Sequence, residues 1–240
     1  MFIFDKNILD RLSDKADRRV EFIHAALEEM QNALVKQGSS LQCFYTTPAE
    51  AFEKLFSAYR IDKVFTNHDY EPYARERDNA VSAFLQTKGA TLHTFKDQVI
   101  FEKDEVIKDD GKPYTVFTPY SRKWKALIKE EHTHEYPSEK YGHQFYQYRA
   151  TPLPTLQSMG FKQVDQPFPS KDLDEQLVKK YGEQRNFPAI AGTSKLGVHL
   201  RFGTISIRQL VRQCTGLSET FLNELIWRDF YQAILWHFPQ

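Results

Sequence analysis

Towards the C-terminal end of the sequence, Glu224, Trp227, Arg228 and Tyr231 stand at i, i+3, i+4 and i+7 in an otherwise apolar stretch, Phe221 to Tyr231. If that stretch is helical, the four side chains share one face. A carboxylate, an indole and a guanidinium on one stripe can hydrogen-bond to, stack on and pair with a flat polar ligand. Burying Glu and Arg is costly unless each is paired or bound. On the residues alone, an internal Glu224–Arg228 ion pair beside a packed Trp227 also accounts for the stripe. A second candidate is Gly192-Thr193-Ser194, ahead of a helix. Backbone N–H groups at a helix start favour an anion, and the two hydroxyls would add donors. The same residues would also serve as a plain N-cap. His132 and His134 have a spacing that could hold a metal, but no Cys or further His completes a zinc pattern. They read as solvated, and no metal is expected.

The elements that must position these groups change character along the chain. Met1 to Asp5 reads as the end of a buried strand. Asp14 to Gln37 reads as a long helix, with Val20, Ile23, Leu27, Met30 and Leu34 as its apolar stripe and Gly38 as its stop. Strands at Leu41 to Tyr45, Lys63 to Thr66 and Thr91 to Phe95 alternate with helices opening at Pro48 and near Tyr73. That alternation predicts a parallel sheet covered on both faces. A turn at Asp109 to Lys112 and a helix from Thr118 to about Lys129 follow. Residues 132–170 hold five prolines and no sustained period, and read as a connector. Beyond it the chain looks helical, at Leu173 to Tyr181, Ser206 to Cys214 and Ser218 to about His237. The expected fold is α/β: an incomplete parallel-sheet, Rossmann-like domain over 1–131, a connector over 132–170, and the start of an all-α domain over 171–240. The chain opens directly in a strand and closes just after an apolar helix, so both domains read as cut.

Composition narrows the classes. The hydrophobic fraction of 41% argues against disorder, and no apolar run reaches the length of a membrane span. Cys43 and Cys214 form no metal or redox motif, which points to a reducing, cytoplasmic setting. Lys+Arg and Asp+Glu balance at 32 each. Their distribution is uneven, with 16 Lys+Arg against 20 Asp+Glu in residues 1–117 and 16 against 12 in residues 118–240. A basic second half suits a DNA partner, although an ordinary solvated surface has the same composition.

Three segments together resemble the photolyase and cryptochrome family. They are Tyr114-Thr-Val-Phe-Thr-Pro-Tyr-Ser121 with Trp124, Gly192-Thr-Ser-Lys-Leu-Gly-Val-His-Leu-Arg-Phe-Gly-Thr-Ile-Ser206 with Tyr181 and Arg185 upstream, and Phe221-Leu-Asn-Glu-Leu-Ile-Trp-Arg-Asp-Phe-Tyr231. The resemblance implies a flavoprotein DNA-repair lyase, a deoxyribodipyrimidine photo-lyase. Such an enzyme uses light-driven electron transfer from reduced FAD to split cyclobutane pyrimidine dimers. It implies FAD contacts from Tyr181, Thr193, Ser194, Lys195, Leu196 and Arg228, and lesion contacts from Asn223, Glu224 and Trp227. The last two would be catalytic. UV-damaged DNA would be the partner of a monomeric protein. A blue-light receptor of the cryptochrome type, or an inactive fragment of either, is the alternative reading; Glu224 and Trp227 favour repair, because a sensor has no lesion to grip. An antenna chromophore is possible in this family. The folate-binding members carry Asn-Glu where this sequence has Tyr73-Ala74, so a folate antenna is not expected, and no antenna residues are assigned. Gly197 departs from the Ser usual in the family.

Overall fold

The first part of the chain alternates as expected: β1 (Phe2–Asp5), a helical turn α1 (Lys6–Leu9), α2 (Arg18–Lys36), β2 (Cys43–Thr46), α3 (Pro48–Ala58), β3 (Lys63–Asn67), α4 (Pro72–Thr87) and β4 (Thr91–Phe95). The remainder is helical: α5 (Phe117–Leu127), α6 (Glu175–Gln184), α7 (Gly197–Phe202), α8 (Ile207–Cys214) and α9 (Glu219–His237), with 3-10 turns at Glu130–Thr133, Ser138–Gln144 and Gln157–Met159. This computed structural model describes residues 1–164 and 166–239. Among them, no helix is long and apolar enough to cross a membrane.

Local chemistry explains the boundaries. Asp17 caps α2 by accepting the Arg19 N–H at 2.8 Å. Thr47 and Glu50 form a reciprocal capping box on α3, with Pro48 in the first turn. Gly38 and Gly89 follow α2 and α4 at φ 78° and 73°, a left-handed conformation that a Cβ disfavours. The strands form two short pairs. β1 and β2 are parallel, in register from Phe2–Cys43 to Asp5–Thr46. β3 and β4 are hydrogen-bonded neighbours. The Thr91 N–H meets the Asp62 carbonyl at 3.1 Å where they begin, and the His68 N–H meets the Phe95 carbonyl at 2.8 Å where they end.

The chain folds into two compact units, each drawn from three stretches of sequence. The first comprises Met1–Val64, Asn79–Leu92 and Tyr136–Phe168; the second comprises Phe65–Asp78, His93–Glu135 and the chain from Pro169 onward. These units do not follow the compositional division at residues 131 and 171. In the first unit, Phe4, Val20, Leu27 and Leu41 share a core with Leu156, Met159 and Phe161 from the expected connector. Buried polar side chains of α2 hold that segment. Gln31 donates to the Thr151 carbonyl at 2.8 Å and accepts from the Leu41 N–H at 2.7 Å. The His24 ring lies 2.9 Å from the Pro154 carbonyl, and Glu21 accepts from the Val164 N–H at 3.2 Å. Residues 136–168 are therefore a layer of this unit. The apolar stripe on α2 is also corrected: Met30 is exposed, while Glu21, His24 and Gln31 are buried.

In the second unit, Ile100, Phe101, Tyr120 and Trp124 share one core with Val178, Leu196, Leu210, Phe221, Leu225, Ile226 and Phe230. Asp229 lies within it, 1% exposed. Its carboxylate accepts from the N–H groups of Ile100 and Phe101, each at 3.1 Å, and from the Trp124 indole N–H at 2.9 Å. Burial pushes its carboxyl up to about 6, against the pull of these bonds and of neighbouring Arg228.

Two outcomes follow for Asp229. Replacing it with Ala leaves three buried donors unpaired, at about 1–3 kcal/mol each. Because the folded-state value is raised, the group stabilises the fold fully below about pH 4, and that contribution is lost as pH rises through about 6. The rise from the ordinary carboxylate value to about 6 is worth about 3 kcal/mol. Asp229→Asn removes this titration, so the stability gap between variant and wild type should change by about that amount across the window. Urea unfolding at a series of pH values checks it; a gap independent of pH would refute the assignment.

Candidate functional site

Every site residue expected from the sequence lies in the second unit. α9 is capped by Ser218, which accepts from the Phe221 N–H at 3.3 Å. Lys125 on α5 pairs with Glu219 in the first turn at 2.7 Å. Phe221, Leu225 and Asp229 lie in one i+4 series and are buried, as are Ile226 and Phe230. The helix thereby turns Glu224, Trp227, Arg228 and Tyr231 to one side of its buried face.

The internal Glu224–Arg228 pair allowed by the spacing is not what forms. Glu224 takes the guanidinium of Arg185, just beyond α6, in a pair whose side chains are 37% and 35% exposed. Arg228 turns inward, donating to the Gln98 backbone carbonyl, to the Gln98 side-chain oxygen at 3.3 Å and to the Leu200 carbonyl at 3.4 Å. Burial lowers its pKa, partly countered by Asp229. Trp227 is half-buried and lies flat on Phe117, with ring centroids 3.7 Å apart and planes 5° apart. Tyr231, 61% exposed, extends the stack at 5.4 Å and 25°. The buried Oδ1 of Asn223 has no hydrogen-bond partner among the described residues.

The Gly192–Leu196 loop is not a plain N-cap. α7 has only six residues, its N-cap is Leu196, and no side chain caps it. The Ser194 hydroxyl accepts from the Leu196 N–H, at 3.4 Å. Among the described residues, the N–H groups of Thr193, Ser194 and Lys195 and the Thr193 hydroxyl have no acceptor. Lys195 is exposed at φ 55°, uncommon for a residue with a Cβ. A Cβ on Gly192 would lie 2.7 Å from Gln184 Cβ and 2.9 Å from its carbonyl carbon and oxygen. The loop thus carries successive backbone donors without acceptors among the described residues, groups that can hold an anion. Leu196 is buried in the core, 2% exposed, with its N–H on the Ser194 hydroxyl and its carbonyl accepting from the Leu200 N–H at 3.0 Å. Tyr181 packs edge-on against Phe221 at 5.1 Å, with the Arg185 guanidinium 5.7 Å over its ring.

Other expectations change. His132 is half-buried rather than solvated: its ring packs 4.8 Å from Phe101, and its Nδ1 accepts the Lys129 N–H at 3.0 Å. Part of the basic excess of the second half is committed internally, in Arg201–Glu71, Arg208–Asp97 and Arg212–Glu135 pairs. Sequence reasoning missed Phe117 and Asp229 as individual residues. Phe117 left no signal, since its partner is 110 positions away. Asp229 did leave one, a carboxylate in phase with Phe221 and Leu225. In the first unit, a cavity of about 490 Å³ between α2 and residues 155–168, lined by Glu21, His24, Gln163 and Phe168 among others, was likewise not anticipated.

The DNA photolyase family model matches residues 1–140. A deoxyribodipyrimidine photo-lyase of Synechococcus sp. (strain PCC 6301) is 32% identical across the whole chain, which covers 55% of that relative. An uncharacterized 31.6 kDa protein of Synechococcus sp. (strain PCC 6716) is 29% identical over 96% of this chain and 88% of its own length. Among solved structures, a bacterial class III photolyase from Agrobacterium tumefaciens superposes with a TM-score of 0.78 at 22% identity, over 99% of this chain and 53% of that one. An archaeal photolyase from Sulfolobus tokodaii, solved with two FAD molecules, superposes with a TM-score of 0.74 at 21% identity, over the same shares. The chain spans about half the length of the curated photo-lyases it matches. With the α/β fold of these structures and a family match over more than half of its residues, this chain belongs to the DNA photolyase family.

Proposed function

We propose that the chain is part of a deoxyribodipyrimidine photo-lyase, in which the loop at 192–196 holds FAD and the α9 stripe receives a pyrimidine dimer from UV-damaged DNA. The observation that carries the reading is that loop and stripe share one core, with Leu196 packed in the same cluster as Leu225 and Ile226. The residues present fit the phosphate end of FAD. The three free N–H groups and the Thr193 hydroxyl are donors, Lys195 adds a positive charge, and Gly192 leaves the backbone bare where a side chain would clash. Tyr181, packed on the same core, adds an aromatic face, and Arg228 adds a half-buried cation held by Gln98 and Leu200. Bound and reduced, FAD supplies the light-driven electron that opens the cyclobutane ring.

The chain's own work is recognition. A dimer is already distorted, so lifting it from the duplex costs less than lifting an intact pair. Glu224 accepts from the pyrimidine N–H, while Arg185 beside it donates to a carbonyl. The Phe117–Trp227–Tyr231 stack replaces the base stacking lost on flipping. Asn223, whose buried Oδ1 lacks a donor, is a further lesion contact.

Two measurements test the reading. The purified chain, mixed with FAD and freed of excess, should keep flavin absorption bands. Gly192→Ala should lose them and lower stability by about 1–3 kcal/mol, because the backbone of Gln184 has to move. In a binding titration, the chain should prefer an oligonucleotide carrying a thymine dimer over the undamaged strand, and Trp227→Ala should weaken dimer binding by about tenfold or more. Equal affinity for damaged and undamaged strands, with no flavin retained, would count against the proposal.

A further inference from the structure

α9 has an unusual problem of orientation. Apolar side chains occupy every side of it, with Leu222, Leu225, Ile226, Phe230, Ala233, Ile234 and Leu235 all buried or half-buried. Hydrophobic burial is non-directional, so on such a helix it discriminates weakly between rotational settings. One residue of helical phase is about 100°, enough to carry Trp227 off Phe117 altogether. Directional bonds are needed, and α9 has them at two adjacent positions. Arg228 donates to the carbonyl of Gln98, and Asp229 accepts from the N–H groups of Ile100 and Phe101 and from the Trp124 indole. Donor and acceptor grip opposite polarities of one short backbone segment, which fixes the helix both in rotation and along its axis.

We propose that Asp229 is a positioning residue, which together with Arg228 clamps residues 98–101 and so sets the rotation of α9 that lays Trp227 flat on Phe117 and brings Glu224 to Arg185. The inference rests on the reading of α9 as the lesion-facing helix and adds to it the group that aims that face. As a device for stability alone the carboxylate is poorly placed. Burial pushes it up to about 6, so at neutral pH it is held charged where charge is disfavoured. The three converging donors make sense if direction, rather than net stability, is what it provides.

The test uses the full chain and separates aim from stability. Near-ultraviolet circular dichroism of wild type minus Trp227→Phe isolates the signal of the stacked indole. Asp229→Ala should remove that signal and cut the preference for a dimer-containing oligonucleotide by about tenfold. Val178→Ala, a fully buried truncation in the same core, should lower the thermal midpoint while leaving the signal and the preference intact. If Asp229→Ala loses stability but keeps both, Asp229 is only structural and the proposal falls. Should Asp229→Ala not fold, Asp229→Glu keeps the charge but shifts the carboxylate by one methylene. A cooperative fold with an altered Trp227 signal supports the clamp, and an unaltered signal overturns it. A wild-type chain with no preference for damaged DNA defeats the photo-lyase reading instead, and the dichroism still decides the role of Asp229.

Discussion

A backbone segment outside helix or strand has to find partners for its N–H groups elsewhere. In the second unit, that need falls on residues 96–101, and the side chains of α8 and α9 meet it. Arg208 takes the Lys96 carbonyl and the Asp97 carboxylate, Arg228 the Gln98 carbonyl, and Asp229 the N–H groups of Ile100 and Phe101. The same carboxylate holds the indole of Trp124, and so ties α5 to α9. The candidate lesion-facing stripe therefore inherits its direction from a buried polar junction, although most of the area around it is apolar. This explains how a helix with apolar side chains all round still presents one defined chemical face.

Much of this architecture was legible where a residue signals through its immediate neighbours. Thr47-Pro48 with Glu50, and Gly38 and Gly89 after their helices, act over three or four positions, and the elements they bound lie close to where the sequence places them. The stripe on α9 was legible for the same reason, since its spacing alone puts Glu224 and Trp227 on one side. What was not legible depends on partners far along the chain. Spacing offered Arg228 to Glu224, but Arg185 takes that carboxylate while Gln98 takes Arg228, and neither competitor is visible in a local window. Residues 136–168 were unreadable for a related reason. They have no period because they pack as an irregular layer, held residue by residue by Gln31, His24 and Glu21.

The same three side chains show how polarity misleads a hydrophobic reading of α2. A helix stripe drawn from apolar residues alone includes Met30 and omits Glu21, His24 and Gln31, yet Met30 is exposed and the polar residues are buried. A backbone layer laid across a helix brings carbonyls and N–H groups with it, and apolar side chains cannot satisfy them. Buried polar positions on such a helix mark where irregular chain crosses it.

The interleaving of the two units also constrains how the chain acquires its structure. During synthesis, the nascent first unit lacks Leu156, Met159 and Phe161, and its buried Gln31 and His24 lack their backbone partners, until residues 151–161 have left the ribosome. Before then the second unit has already contributed two of its three stretches without α9 to close its core. The first unit can therefore complete only after two stretches of the second have emerged, and these in turn wait for the chain from Pro169 onward. Both units wait on contacts that are distant in sequence, a topology associated with slow folding and prolonged exposure of apolar surface.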